Sequence, residues 1–144
     1  MRVLVVKTSS MGDLVHTLPA LTDATNACGD IRFDWVCEPA FSDIPRWHPS
    51  VGDFLAIPLR RWKGQLHRLL FSRDLAAFKQ ALGAERYDAV IDAQGLLKSA
   101  FLITRFTDGP KHGFDRRSAK EGMAATVYDV KHRVARSKHA ISRT

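Results

Sequence analysis

The chain has 144 residues, enough for one domain with a real core, and its hydrophobic fraction of 45% and charged fraction of 26% are those of an ordinary globular protein. No apolar run approaches the ~20 residues a bilayer-spanning helix needs, and Val3–Val6 is too short for a signal peptide, so a cytoplasmic protein is expected. Two cysteines, Cys28 and Cys37, exclude a disulfide framework and read as small core residues. The net charge of +7 is uneven: residues 1–110 hold 13 Lys/Arg against 12 Asp/Glu, whereas residues 111–144 hold 9 against 3. A basic last quarter fits an anionic partner or a solvated surface.

In chain order, Val3–Val6 is a β-branched-rich run expected of a strand buried on both faces. Pro19–Cys28 reads as a helix closed by Gly29, with Pro19 either starting or kinking it. Phe33–Cys37 is a second strand, Pro39–Trp47 a short helix, and Phe54–Ile57 a third strand. Asp74–Leu82 carries Leu75, Phe78 and Leu82 at helical spacing and stops at Gly83. Ala89–Ile91 is a fourth strand, Leu96–Phe106 a further helix, Pro110–Gly113 a weak fifth strand, and Ala119–Val130 helical. This alternation predicts an α/β fold: a Rossmann-like, mostly parallel sheet flanked by helices. Ligands of such sheets bind beyond the carboxyl ends of the strands, which points to the loops after Val6, Ile57 and Ile91.

The first of those loops, Lys7-Thr8-Ser9-Ser10-Met11-Gly12-Asp13, joins a buried strand to a helix and offers amides and hydroxyls to an anion or to sugar hydroxyls. It is neither a Walker loop nor a three-glycine dinucleotide fingerprint. Asp13 can serve as a general base or cap the first helical turn, and position alone favours the cap. The second loop, Arg60-Arg61-Trp62-Lys63, followed by His67, Arg68 and Arg73, suits an acidic ligand through guanidinium forks or is a solvated basic stretch. The third, Asp92-Ala93-Gln94-Gly95, places a partly buried carboxylate, a carboxamide able to face a ligand, and a turn-permitting glycine in succession. Asp92 reads as structural or catalytic, and His16, close after Asp13, either shares its pocket or is a satisfied structural group, the commoner role of a lone histidine. No Asp-x-Asp, zinc-ligand spacing or Gly-x-Ser-x-Gly is present, so a metal-free site is expected.

The blocks Met1–Leu21, Phe33–Val36, Arg60–Trp62, Tyr87–Leu96 and Lys111–Asp115 resemble the heptosyltransferases of glycosyltransferase family 9, of the lipopolysaccharide heptosyltransferase I type. That resemblance covers essentially the whole chain. It implies a GT-B architecture, two Rossmann-like domains across a cleft, of which residues 1–144 would be the acceptor-binding one. It implies no cofactor, with ADP-heptose as donor held mainly by a second domain, and a Kdo-bearing lipid A as acceptor. It implies metal-independent transfer with inversion, at the cytoplasmic face of the inner membrane, and a 144-residue segment inactive by itself. Asp13 matches the family's general base, with Ser9, Ser10, Met11 and Gly12 around the substrate. Arg60, Arg61, Lys63 and Lys120 match acceptor contacts, and Gln94 and Gly95 line the same site. Lys120 stands where relatives also use Arg, keeping the charge without the bidentate fork. The competing readings are a sister heptosyltransferase with another acceptor and a non-catalytic anion- or nucleic-acid-binding module. The latter lacks a nucleic-acid motif or a stacking-aromatic series, so no nucleic-acid partner is expected.

Overall fold

A computed structural model describes residues 1–59, 73–135, 137–139 and 141–143. Six strands form one parallel sheet: β1 (Arg2–Val6), β2 (Arg32–Cys37), β3 (Val51–Ala56), β4 (Ala89–Asp92), β5 (Lys111–Phe114) and β6 (Val130–His132). Their spatial order is β3-β2-β1-β4-β5-β6. The winding direction therefore reverses between β1 and β4, where the carboxyl ends of adjacent strands splay their loops apart and leave a crevice.

Side-chain alternation along β1 explains the layers. Val3 and Val5 join Phe33, Trp35 and Cys37 on one face, against Leu14 and Leu21 of helix α1 (Met11–Cys28). Leu4 and Val6 join Val36 and Val90 on the other, against Leu82 of helix α2 (Arg73–Gly83) and Ile103. A strand that is buried on both sides must be apolar at consecutive positions, as β1 is. Helix α3 (Leu97–Leu102) contributes Ala100 to a smaller cluster with Ala124, Ala125 and Tyr128.

Helix α1 begins eight residues before Pro19, since Leu14, Thr17 and Leu21 supply a buried stripe at helical spacing. Pro19 sits inside the helix and exposed; burial of the stripe on either side outweighs the hydrogen bond that its missing N–H forfeits. Gly29 ends the helix at φ +69°, its N–H donating to the Thr25 carbonyl at 2.9 Å.

Several expectations need correction. Pro39–Trp47 forms two 3-10 turns, Pro39–Phe41 and Pro45–Trp47, each opened by a proline. The expected helix at Leu96–Phe106 breaks at Ile103 into α3 and a 3-10 turn at Thr104–Phe106, because the Thr104 hydroxyl turns inward to Asp92. Ala119–Val130 is not an α-helix: Gly122–Thr126 is a 3-10 turn, and Val130 opens β6, a strand with only three residues to announce it. Cys28 is exposed at the end of α1, while Cys37 is buried as expected.

Candidate functional site

Three loops meet at the reversal point. The loop after β1 leads into α1 through Ser10, whose extended backbone places it as the N-cap. Asp13, one turn in, folds its carboxylate back so that Oδ2 accepts the Ser10 N–H at 3.1 Å, with the Ser10 hydroxyl at 3.5 Å. Asp13 is half-buried, and its Oδ1 accepts no hydrogen bond from the described residues. A carboxylate there lies over the positive end of the α1 dipole. Ser9 is half-buried, and Ser10, Met11 and Gly12 are exposed at the lip.

The loops after β1 and β4 are fastened together by buried polar contacts. Lys7 is 7% exposed, and its ammonium donates to the Ala93 carbonyl at 2.7 Å. The Thr8 N–H donates to Gln94 Oε1 at 3.2 Å, and both residues are buried. The Gln94 side chain thus joins the two loops rather than projecting freely into the crevice. Gly95 adopts φ +64° and touches the next loop: a Cβ there would lie 2.9 Å from Phe114 Cδ2 and 3.6 Å from the Lys120 nitrogen. The Glu121 N–H donates back to the Gly95 carbonyl at 3.1 Å. Lys120 is exposed beside this contact.

Asp92 anchors the assembly from below. Its Oδ1 receives the Gln94 and Gly95 N–H groups at 3.0 and 3.1 Å and the Ser99 hydroxyl at 3.1 Å; its Oδ2 receives Thr104 at 3.0 Å and Tyr128 at 2.9 Å. Burial raises this carboxyl above the ordinary carboxylate range, and the Gly95 amide with the Tyr128, Thr104 and Ser99 hydroxyls partly opposes that. The Tyr128 phenol is pushed up by burial and then by Asp92. With both oxygens occupied and only 1% of its surface exposed, Asp92 shapes the 92–96 turn.

Asp13, Ser9, Ser10, Met11, Gly12, Gln94, Gly95 and Lys120 all lie on segments that follow the carboxyl ends of β1, β4 and β5, whereas Arg60, Arg61 and Lys63 lie outside the described residues, as do His67 and Arg68. His16 lies one turn beyond Asp13, its ring 6.2 Å from that of His139. The sequence reading missed Lys7, whose signal was a lysine closing an apolar strand, and the stacked pair His112 and His132, 3.1 Å apart through Nδ1 and Nε2. These two rings, with Ile91, Asp92, Ala93, Gly113, Phe114 and Val134, border a cavity of about 320 Å³. No group of three or more His, Cys, Asp or Glu among the described residues is arranged to hold a metal ion, and no described helix is long and apolar enough to cross a membrane.

The sequence model of glycosyltransferase family 9 (heptosyltransferase) matches residues 75–144. Over all 144 residues the chain is 52% identical to lipopolysaccharide heptosyltransferase 1 of Escherichia coli K12, of which it covers 45%, and 50% identical to that of Pseudomonas aeruginosa, of which it covers 41%. The solved structure of E. coli heptosyltransferase WaaC with ADP-2-deoxy-2-fluoro heptose superposes on 99% of the chain at TM-score 0.93 and 51% identity, with 45% of WaaC covered. A family 9 glycosyltransferase from Veillonella parvula shares the fold at TM-score 0.77 and 16% identity. The chain thus spans less than half the length of the curated relatives it matches. From sequence and structure together, the chain is similar over its whole length to heptosyltransferases of glycosyltransferase family 9.

Proposed function

We propose that this chain forms the acceptor-binding part of an inverting, metal-independent heptosyltransferase that moves heptose from ADP-heptose to a Kdo residue of Kdo-bearing lipid A. The observation that carries the reading is Asp13, set at the reversal point of the sheet with one carboxylate oxygen tied to Ser10 and the other accepting no hydrogen bond from the described residues. A base has to be held still and yet keep a free lone pair, and this arrangement provides both.

The acceptor hydroxyl gives its proton to Asp13 Oδ1 as its oxygen attacks the anomeric carbon of heptose. The new carbon–oxygen bond forms on the face opposite ADP, the bond to the diphosphate breaks, and ADP leaves with that electron pair. General-base assistance of this kind contributes roughly 10²–10⁴-fold. Arg60, Arg61, Lys63 and Lys120 hold the acidic sugar, guanidinium forks matching carboxylate geometry where lysine supplies a point charge. Ser9, Ser10, Met11 and Gly12 form the lip over which the sugar passes, and Gln94 and Gly95 fix the opposite wall. The donor site belongs to a second domain, for which the greater length of the relatives leaves room. The enzyme works at the cytoplasmic face of the inner membrane, held peripherally by its basic surface.

The test is a chimera in which this chain replaces the aligned 45% of the E. coli relative. With ADP-heptose and Kdo-bearing lipid A it should release ADP, and Asp13→Ala should lower kcat by roughly 10²–10⁴ with acceptor KM little changed. Full turnover by Asp13→Ala removes the base role, and turnover by the 144-residue chain alone removes the division of labour.

A further inference from the structure

Part of the positive charge of the last quarter gathers at one place in the fold. Arg117, Arg133 and Lys138 border one cavity of about 410 Å³, together with Ser118, Val134 and Ala135. That volume lies in the range of small-ligand sites. The cavity is built by backbone ties. Asp115 Oδ1 accepts the Arg117 and Ser118 N–H groups at 3.1 and 2.7 Å, fixing the turn that carries Arg117. The Asp115 N–H donates to the His132 carbonyl at 2.9 Å, and the Val134 N–H donates to Ser118 Oγ at 2.9 Å. These two bonds hold the exit of β6, and with it Arg133, across from Arg117. No carboxylate among the described residues lies within salt-bridge distance of the three cations.

The charge balance selects the ligand. Among the described residues three cations border the cavity, beside the turn of Asp115, whose carboxyl is held below its usual range by the Ser118 hydroxyl first, then by the Ser118 amide, with Arg133 adding a smaller pull. A net local charge near +2 is matched by a phosphomonoester, which carries about −1.5 to −2 at neutral pH, better than by a single carboxylate. Two guanidinium forks supply the paired donors that phosphate oxygens accept. The segments that border the cavity also reach the loops at the reversal point. The Arg117 turn runs directly into Ala119 and Lys120, which abut Gly95, and Lys138 precedes His139, whose ring faces His16.

We propose that Arg117, Arg133 and Lys138 form a second anion subsite that takes a phosphomonoester. Its assignment to a phosphate carried by the acceptor rests on the transferase reading; its affinity for phosphate does not.

Titration of the 144-residue chain with glucose 6-phosphate, inorganic phosphate and glucuronate, followed by amide chemical shifts, tests this. Glucose 6-phosphate should bind at least ~10-fold more tightly than glucuronate, with shifts at residues 115–118 and 133–138. Arg117→Ala with Arg133→Ala should weaken it by ~10-fold or more, and Asp13→Asn should leave it unchanged. Arg117→Lys with Arg133→Lys keeps the charge and should lose a smaller part, a readout that stands even if the alanine pair fails to fold. A preference for the phosphosugar over free phosphate places the phosphate on a sugar, and equal affinity assigns the subsite to the free ion. Glucuronate binding as tightly as glucose 6-phosphate, or arginine variants binding like wild type, overturns the subsite. An inactive chimera beside the expected titration discards the transferase reading alone; an active chimera beside an arginine-independent titration discards the subsite alone.

Discussion

Gln94 and Thr8 come from loops 86 residues apart in sequence, and the bond between the Thr8 N–H and Gln94 Oε1 acts with the Lys7–Ala93 contact to fix how far those loops stand from each other. Both partners are buried, so no water replaces the acceptor if it is removed. Gln94→Met keeps most of the side-chain volume while deleting the acceptor. It should lower the unfolding free energy by ~1–3 kcal/mol, the range for an orphaned buried donor. Urea denaturation reads this directly, and a midpoint equal to that of wild type removes the bond from the account of the crevice.

Gly95 makes a parallel case through shape. At φ +64° an alanine is strained by about 1–2 kcal/mol, and its Cβ would also press on Phe114 at 2.9 Å. Gly95→Ala should therefore destabilise the chain by at least that strain and move Lys120 away from the 92–96 loop. In the chimera the second effect appears as a raised acceptor KM. Unchanged stability and unchanged KM together would mean that the loop relaxes freely.

The two thiols differ enough to label separately. Cys28 is exposed, whereas Cys37 is fully buried, its thiol pushed up to about 11 by burial and then by the nearby charge of Glu38. Thiolate is the reacting form. One equivalent of an aromatic disulfide reagent should react in native buffer and two in denaturant, and mass spectrometry should find the first on Cys28. Native labelling of Cys37 would show that β2 opens locally.

The core was readable from the sequence because strands buried on both faces carry consecutive apolar residues, as Val3–Val6 does. The reversal-point loops followed from strand order, and the Asp13 and Gln94 blocks from their position at strand ends. What escaped was set by contacts distant in sequence. The end of α3 at Ile103 depends on Thr104 reaching Asp92, and β6 exists because Val130–His132 pairs with β5, for which three local residues give no periodicity. Lys7 read as a loop residue because burying an ammonium is rare unless a carbonyl such as that of Ala93 meets it. Cys28 misled for the opposite reason: a small residue at the last turn of an amphipathic helix can fall on the solvent side.

Acid should weaken the fold through its histidines. Burial lowers the pKa of His48, and burial followed by the charge of His132 lowers that of His112, against a smaller opposing pull from Asp129. A depressed folded pKa means the folded chain binds fewer protons than the unfolded one. The stability this represents is present above the ordinary histidine value of 6.5 and is lost as pH falls through the lower folded values. Unfolding free energy should therefore decline on acidification below ~6.5, with a slope per group under the one-proton limit of ~1.4 kcal/mol per pH unit. His48→Gln should flatten the decline more than His112→Gln, because His48 is the more buried and less screened. A pH-independent stability between 7 and 5, by the same measurement, would contradict both assignments.

Asp13 holds two positions at once, the third residue of α1 and the rim of the crevice, and two substitutions separate the roles they imply. Asp13→Ala deletes both the acceptor for the Ser10 N–H and the negative charge over the helix amino terminus, which should cost about 0.5–1 kcal/mol of stability. Asp13→Asn keeps an oxygen for Ser10 and should recover part of that loss, yet its carboxamide cannot take up a proton at neutral pH. A side chain needed only to start the helix would let Asn turn over nearly as well as Asp. A side chain needed to receive the acceptor's proton leaves Asn as slow as Ala, lower by roughly 10²–10⁴ in kcat, although Asn is the more stable of the two. Measuring stability and kcat on the same pair of chimeras therefore opposes the two orders: Asp, Asn, Ala for folding, and Asp far above an equal Asn and Ala for transfer. Turnover that follows the folding order would leave the crevice without its base.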